Sequence, residues 1–203
     1  VDDEPMLQEG YSVTPNFWRA PTDNDYGAGL QQRFLDFKEP GLKLTAINCA
    51  PVEGGQMVKA VYEMTKVKGE LTISYLMTND GQLIVRQQLK NDEAQKDRNM
   101  FRYGMQWVMP EQYGTVTYYG RGPGENYIDR YESQRLGLYT QKVAEMYHPY
   151  VRPQESGNHI DVRQWSVLDS KGRGLQFLAT GAMECSTINY LPQDLDDGPD
   201  KSA

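Results

Sequence analysis

The clearest pattern along this chain is alternation with a period of two. From Met57 to Met64, Val58, Ala60, Tyr62 and Met64 form one set, while Met57, Lys59, Val61 and Glu63 form the other and hold the charges. Such alternation predicts a strand with one face turned to a core. Leu71, Ile73 and Tyr75 alternate in the same way with Thr72, Ser74 and Leu76, and Leu83, Val85, Gln87 and Leu89 with Ile84, Arg86 and Gln88. Between these runs, Asn79-Asp80-Gly81-Gln82 supplies the positive φ that a tight hairpin needs. Residues 71–77 and 83–89 are therefore predicted to pair antiparallel. Further strands are predicted over 101–108, 115–119 and 187–191. A second hairpin joins 161–168 to 174–179 through Asp169-Ser170-Lys171-Gly172. Helical text is confined to Gln31–Phe37 and Lys142–Met146, both too short to persist without tertiary packing. Many short strands joined by Gly- and Asn-rich turns predict an all-β fold, an antiparallel sandwich or barrel.

A chain of 203 residues can bury one sizeable core, so a single domain over 1–203 is expected. No apolar run reaches membrane-spanning length, and a membrane is not an expected partner. The net charge of −7, with Lys and Arg scattered among carboxylates, argues against nucleic acid. The two cysteines, Cys49 and Cys185, cannot build a disulfide framework and lack metal-ligand spacing. Both lie in strand-like text and are expected to be buried free thiols, which leaves the compartment open between cytoplasm and periplasm. Val1-Asp2-Asp3-Glu4-Pro5 reads as the interior of a longer chain, and the stretch from Asp194 to Lys201 as a loop cut short. The sandwich is therefore expected to be truncated at its C-terminus. Fourteen Tyr and three Trp against five Phe favour rings with a polar tip, which suit sugar-facing clefts, although strands alone also enrich Tyr.

Three segments carry polar residues too dense and varied for ordinary solvated turns. In the first, residues 16–27, Pro21 fixes the backbone, and Asp23, Asn24 and Asp25 can each bond nearby amides. It reads either as a rigid loop in which Arg19 pairs with a carboxylate, or as a loop pinned to meet a ligand. In the second, residues 118–131, a strand runs into Gly120-Arg121-Gly122-Pro123-Gly124 and then into Glu125, Asn126, Tyr127, Asp129 and Arg130. No Lys-Ser, Lys-Thr or helix start follows, so a phosphate cradle fails. Glu125, Asp129 and Arg130 read as sugar contacts or as a satisfied ion-pair network. The third, residues 147–159, offers Arg152, Glu155, Asn158 and His159, with Arg163 and Trp165 just beyond. Planar Arg and amide groups bond sugar hydroxyls in pairs, and Trp or Tyr rings cover a pyranose face. His148, before Pro149, reads as a loop contact, and His159 as the better ligand candidate. Cleaving a glycosidic bond needs two facing carboxyl groups about 5 to 9 Å apart, and no carboxylate here stands in a context that singles it out.

These segments also resemble, in order and spacing, the C-terminal, small-chain-like domain of bacterial β-galactosidases of glycoside hydrolase family 2. The phrases are Arg19-Ala20-Pro21-Thr22-Asp23-Asn24-Asp25, Gly120 through Arg130, and Tyr150-Val151-Arg152-Pro153-Gln154-Glu155. The resemblance implies an antiparallel super-sandwich, similar to galactose mutarotases, that closes one side of an active-site pocket. It places the catalytic glutamates on an upstream (β/α) barrel, so no catalytic residue carries over and this chain alone is expected to be inactive. It implies a homo-oligomeric parent that removes terminal non-reducing β-D-galactose, as from lactose, with retention. Magnesium and sodium would serve the parent's barrel, and no ligand set is legible here. Tyr26 to Leu30 resembles a mobile loop near the pocket. The family's later Gly-Gly-Asp-Asp-Ser-Trp-like segment has no match. Under this resemblance Asp23, Asn24, Asp25, Glu125, Asn126, Arg130, Arg152, Glu155, Asn158, His159 and Trp165 are candidate carbohydrate-binding residues. Two other readings stay open: a stand-alone sugar-binding or aldose-mutarotase-like module, and a purely structural buttress.

Overall fold

Alternation along the chain becomes two four-stranded antiparallel sheets in a computed structural model, which describes residues 4–91 and 99–196. The strands are β1 (Thr14–Asn16), β2 (Leu42–Val52), β3 (Gly55–Met64), β4 (Gly69–Thr78), β5 (Leu83–Asn91), β6 (Gly104–Gln106), β7 (Thr115–Gly122), β8 (Arg135–Lys142), β9 (His159–Leu168) and β10 (Gly174–Cys185). Helix is limited to short turns, among them α1 (Asp23–Gly27), α2 (Leu30–Arg33) and 3-10 turns at Leu35–Phe37, Ile128–Ser133 and Val143–Glu145. The expected all-β, antiparallel class is borne out. The chain divides into two compact units, one formed by 16–18 and 27–104, the other by 1–15, 19–26 and 105–203 as far as these are described.

In the first of these units β2, β3, β4 and β5 form a meander in sequence order. The β4–β5 hairpin is the predicted one: Met77 faces Leu83, and Gly81 takes a φ of 86° in the turn. Leu71 and Ile73 of β4 and Met64 of β3 point the same way and meet Phe17, Trp18, Phe34 and Phe37 in one buried cluster. Phe101 closes it edge-on to Trp18 at 4.9 Å and to Phe34 at 5.1 Å. Each such side chain stabilises by about 1.5–3 kcal/mol on burial, which is what holds the short α2 and 3-10 turns in place.

The second unit has the order β10-β9-β7-β8, with β9 hydrogen-bonded to both β7 and β10. Its core joins Val116 and Tyr118 of β7 to Val162, Trp165 and Val167 of β9, with Val143 and Met146 beneath. The glycines of β7 follow from that packing. A Cβ on Gly120 would sit 2.9 Å from Val162 Cγ2, and one on Gly122 would sit 2.2 Å from the Tyr118 hydroxyl. Large neighbours on the inner face leave no room for side chains where the strand enters the corner.

Several local expectations need correction. Cys49 is exposed and Cys185 only half-buried, because Cys49 lies on the edge strand β2, whose residues are nearly all solvent-facing. The predicted strand over 101–108 shrinks to β6, its flanks held by rings: Phe101 by Trp18 and Phe34, Trp107 by Phe177 at 5.2 Å. Residues 187–191 form no strand. Thr187 accepts the Trp165 indole N–H at 2.9 Å, and Leu191 N–H donates to Asp194 Oδ2 at 2.7 Å, closing a turn. The polar run at 23–27, expected as a loop, is helical. The cut loop expected at 194–201 is described only to Asp196; its remainder, and Val1-Asp2-Asp3, lie outside the described residues.

Candidate functional site

The first polar corner is built on a reciprocal cap. Thr22 Oγ1 accepts the Asp25 N–H at 3.3 Å, and the Asp25 carboxylate accepts the Thr22 N–H at 2.8 Å, so the first turn of α1 closes on itself. Arg19 completes it with a charge-assisted bond to buried Asp25 at 2.8 Å, the expected Arg-carboxylate pair. Asp25 is thus an internal strut. Asp23 and Asn24, the two residues before it, are exposed, and Asp23 Oδ1 accepts from Arg152 Nη1 at 3.1 Å. The Arg152 guanidinium also lies 4.2 Å from the centroid of the Tyr26 ring. Burial, then the charge of Asp196, pushes the Tyr26 pKa up. Glu155 is buried and its N–H donates to Ala20 O at 3.1 Å, tying the third corner to the first.

The second and third corners are joined by two layers of bonds. The inner layer is an amide knot. Asn126, fully buried, donates from Nδ2 to Arg121 O and Gly124 O at 2.9 Å each and accepts the Ile160 N–H on Oδ1 at 2.9 Å. Asn158 Nδ2 donates to Asn126 O at 3.1 Å, and Asn126 N–H returns to Asn158 O at 2.7 Å. His159 lies beneath, its Nδ1 3.1 Å from Gly157 O and its ring edge-on to Tyr118 at 4.8 Å. Burial lowers its pKa. Trp165 packs against both Tyr118 and His159 in the core, 4.7 and 5.4 Å away.

The outer layer centres on Glu125. Its Oε1 accepts from Arg130 Nη2 and from the Tyr150 hydroxyl, and its Oε2 accepts the Gly157 N–H at 2.7 Å. Arg130 Nη2 also donates to the Tyr150 hydroxyl at 2.7 Å, so acid, base and phenol form a closed triangle. The Arg130 side chain is 42% exposed and that of Glu125 11%, which puts the triangle at the surface with the amide knot behind it. Burial, then the bond to Glu125, pushes the Tyr150 pKa up. Burial, followed by Glu155 and Glu125, raises that of neighbouring Tyr127. This arrangement can present fixed donors and acceptors to a hydroxylated ligand. Among the described residues no three His, Cys, Asp or Glu side chains converge.

With this geometry in view, comparison with known proteins is decisive on kinship. Residues 1–201 match the family described as beta galactosidase small chain. This chain belongs to the β-galactosidase small chain family. It is 32% identical to a β-galactosidase of Priestia megaterium over 193 residues, covering 94% of this chain and 18% of that protein. It is 36% identical to one from Lactobacillus delbrueckii subsp. bulgaricus over 178 residues, 86% of this chain and 17% of the relative. A Streptococcus thermophilus β-galactosidase is 30% identical over 185 residues, 89% and 18% respectively. The small-chain match thus spans both compact units but less than a fifth of the length of these relatives.

Within this small-chain family member the structure gathers the sequence candidates into two surface groups, Asp23 with Arg152 and Glu125 with Arg130. It withdraws Asp25, Asn126, Glu155, Asn158, His159 and Trp165 into the interior. Tyr150 and Tyr26, which complete the two groups, were not singled out from sequence. Tyr150 is signalled only as the head of a polar phrase, and Tyr26 only as the first residue of the stretch that resembles a mobile loop. The α1 cap did have a signal, the Thr22-x-x-Asp25 spacing that marks a helix start.

Proposed function

We propose that this chain is a non-catalytic, carbohydrate-facing domain of a retaining β-galactosidase that removes terminal non-reducing β-D-galactose. The observation that carries this reading is the small-chain match across the chain, combined with its coverage of less than a fifth of relatives that are named β-galactosidases. The cutting carboxyl groups, and the magnesium and sodium of the parent, then belong to the remainder of the enzyme. Its oligomeric contacts are likewise a property of the whole polypeptide. Glu125, Arg130, Asp23 and Arg152 face the sugar in this reading, while Asn126, Asn158, Asp25 and Trp165 hold them in register.

Arg130→Ala in the full-length enzyme separates this reading from a purely structural one. Removing one charge-assisted donor to substrate raises KM by about tenfold, with the melting temperature little changed. A lower melting temperature with KM and kcat intact would assign the corner to buttressing. Galactoside hydrolysis at enzymatic rates by the 203-residue chain alone would refute the non-catalytic reading outright.

A further inference from the structure

Beside the Glu125 triangle, between β8, the Val143–Glu145 turn and the start of β9, lies a cleft of about 150 Å3. That is room for about five waters at roughly 30 Å3 each, the bulk of one six-membered sugar ring rather than of a disaccharide. Its walls include Gln141, Glu145, Met146, Tyr147 and His159, with Glu125 at one rim.

The hydrogen-bonding capacity left over in these walls is unbalanced. His159 is 1% exposed, and both its ring nitrogens face carbonyls, Nδ1 that of Gly157 at 3.1 Å and Nε2 that of Pro123 at 3.3 Å. A neutral imidazole has one N–H. Both nitrogens are therefore taken up against backbone carbonyls whichever one carries the proton, and His159 gives the cleft a wall rather than a free bonding group. A carboxylate offers about four lone-pair directions, and Arg130, Tyr150 and Gly157 use three of those on Glu125. Glu145 is exposed and adds further acceptors. Gln141 Oε1 already accepts the Tyr118 hydroxyl at 3.1 Å, so what Gln141 chiefly offers is its NH2. Met146 and the Tyr147 ring supply apolar surface. Acceptors in excess, one donor and an apolar wall suit a ligand rich in O–H groups with a C–H face. The charge of Glu125 is already matched by Arg130, so Glu125 offers the ligand a hydrogen-bond acceptor rather than an unpaired charge.

We propose that this cleft binds a single neutral pyranose, or a cyclic polyol of that size, through hydroxyls donated to Glu125 and Glu145 and one accepted bond from Gln141. The inference rests on the carbohydrate-facing reading only in the choice of D-galactose as first probe.

Crystals of the full-length polypeptide soaked in concentrated D-galactose test it. Ring-shaped density in the cleft, contacting Gln141 and Glu145, is the expected result, and water alone in the cleft overturns the proposal. A parallel soak in tetramethylammonium that fills the cleft where galactose does not would overturn it too. A solution measurement covers the case of blocked crystals. The chain has two histidines, His148 and His159, and both line the cleft. Histidine-labelled chain should show saturable ring shifts with galactose, weakened about tenfold in Gln141→Leu by loss of one hydrogen bond. If Gln141→Leu does not fold, exposed Glu145→Gln serves in its place, and shifts unaffected by either variant count against the site. Galactoside hydrolysis by the full-length polypeptide bears on the proposed function alone, so an empty cleft in an active enzyme sinks this inference without touching that one.

Discussion

Replacing Asn126 by alanine removes three side-chain hydrogen bonds at once, those to Arg121 O, Gly124 O and Ile160 N–H. The side chain is 0% exposed, so water cannot take over its partners. At about 1 kcal/mol for each bond the loss is about 3 kcal/mol, and the stranded Ile160 N–H, itself buried, pushes it toward the upper end of the usual range. For a protein of this size 1 kcal/mol corresponds to roughly 2–4 °C, so Asn126→Ala should lower the melting temperature by about 6–12 °C. Asn158→Ala is the control from the same knot. It loses bonds at 3.1 and 3.3 Å but also removes a buried Oδ1 that has no hydrogen-bond partner, so about 1 kcal/mol is expected. Urea and thermal unfolding followed by fluorescence of Trp107 and Trp165, both in the affected unit, reads the difference. Equal losses for the two variants, or a loss under about 1 kcal/mol for Asn126→Ala, would refute the view that this amide is the knot.

Gly157 has a φ of 72°, and a Cβ there would meet Ile188 Cγ2 at 2.7 Å and Met146 O at 2.9 Å, so Gly157→Ala should cost at least about 2 kcal/mol in urea unfolding. Burial depresses the His159 pKa below its ordinary value of about 6.5. The unfolded chain then binds the proton more readily, so this contribution is complete above about pH 6.5 and is lost as pH falls through the depressed folded value. His159→Gln should flatten that limb of the melting-temperature profile, and an unchanged profile would count against it. The Asp161 carboxyl is held below its usual value by Tyr131 and then Arg121, and that of Asp169 by the backbone amides of Arg173 and Lys171. Their stabilisation is present above about pH 4 and disappears below it, a separate acid limb that Asp161→Asn should shrink. In the other unit, Leu71→Ala empties a fully buried site and should cost about 2–5 kcal/mol, read by Trp18 fluorescence.

Where one face of a strand meets a core built from nearby sequence, the period of two was sufficient. β3, β4 and β5 are such a case: Met64, Leu71 and Ile73 turn together onto Phe34 and Phe37, and the turn between β4 and β5 is chemically marked by Asp80-Gly81. β8 went unseen because it runs against the rule. Its leucines, Leu136 and Leu138, are 43% and 71% exposed, while Gly137, Tyr139 and Gln141 form the half-buried face. β2 shows only as strand-like text around Cys49, without bounds, because a register shift between Leu44 and Ala46 breaks its alternation. The polar phrases of the site were legible as dense chemistry, but their pairings were not. Glu125 meets Tyr150 across 25 residues and Gly157 across 32, and Asn158 reaches Asn126 across 32. Nothing local specifies contacts at such separations; the sheet order that brings β7 beside β9 does.

That sheet order also explains why a motif match cannot by itself say which residues meet a ligand. The phrase from Gly120 to Arg130 contains groups with opposite fates: Asn126, sealed and fully bonded, and Arg130, with 42% of its side chain in solvent. Between them Glu125 belongs to both layers, its Oε2 fixed by a backbone amide from the third corner and its Oε1 turned to Arg130 and Tyr150. A carboxylate held at one oxygen by the fold keeps the other at a fixed position without reorganisation, and preorganisation of that kind is what a binding wall needs. The interior amide and the exposed ion pair are therefore two halves of one device: the first sets where the second stands.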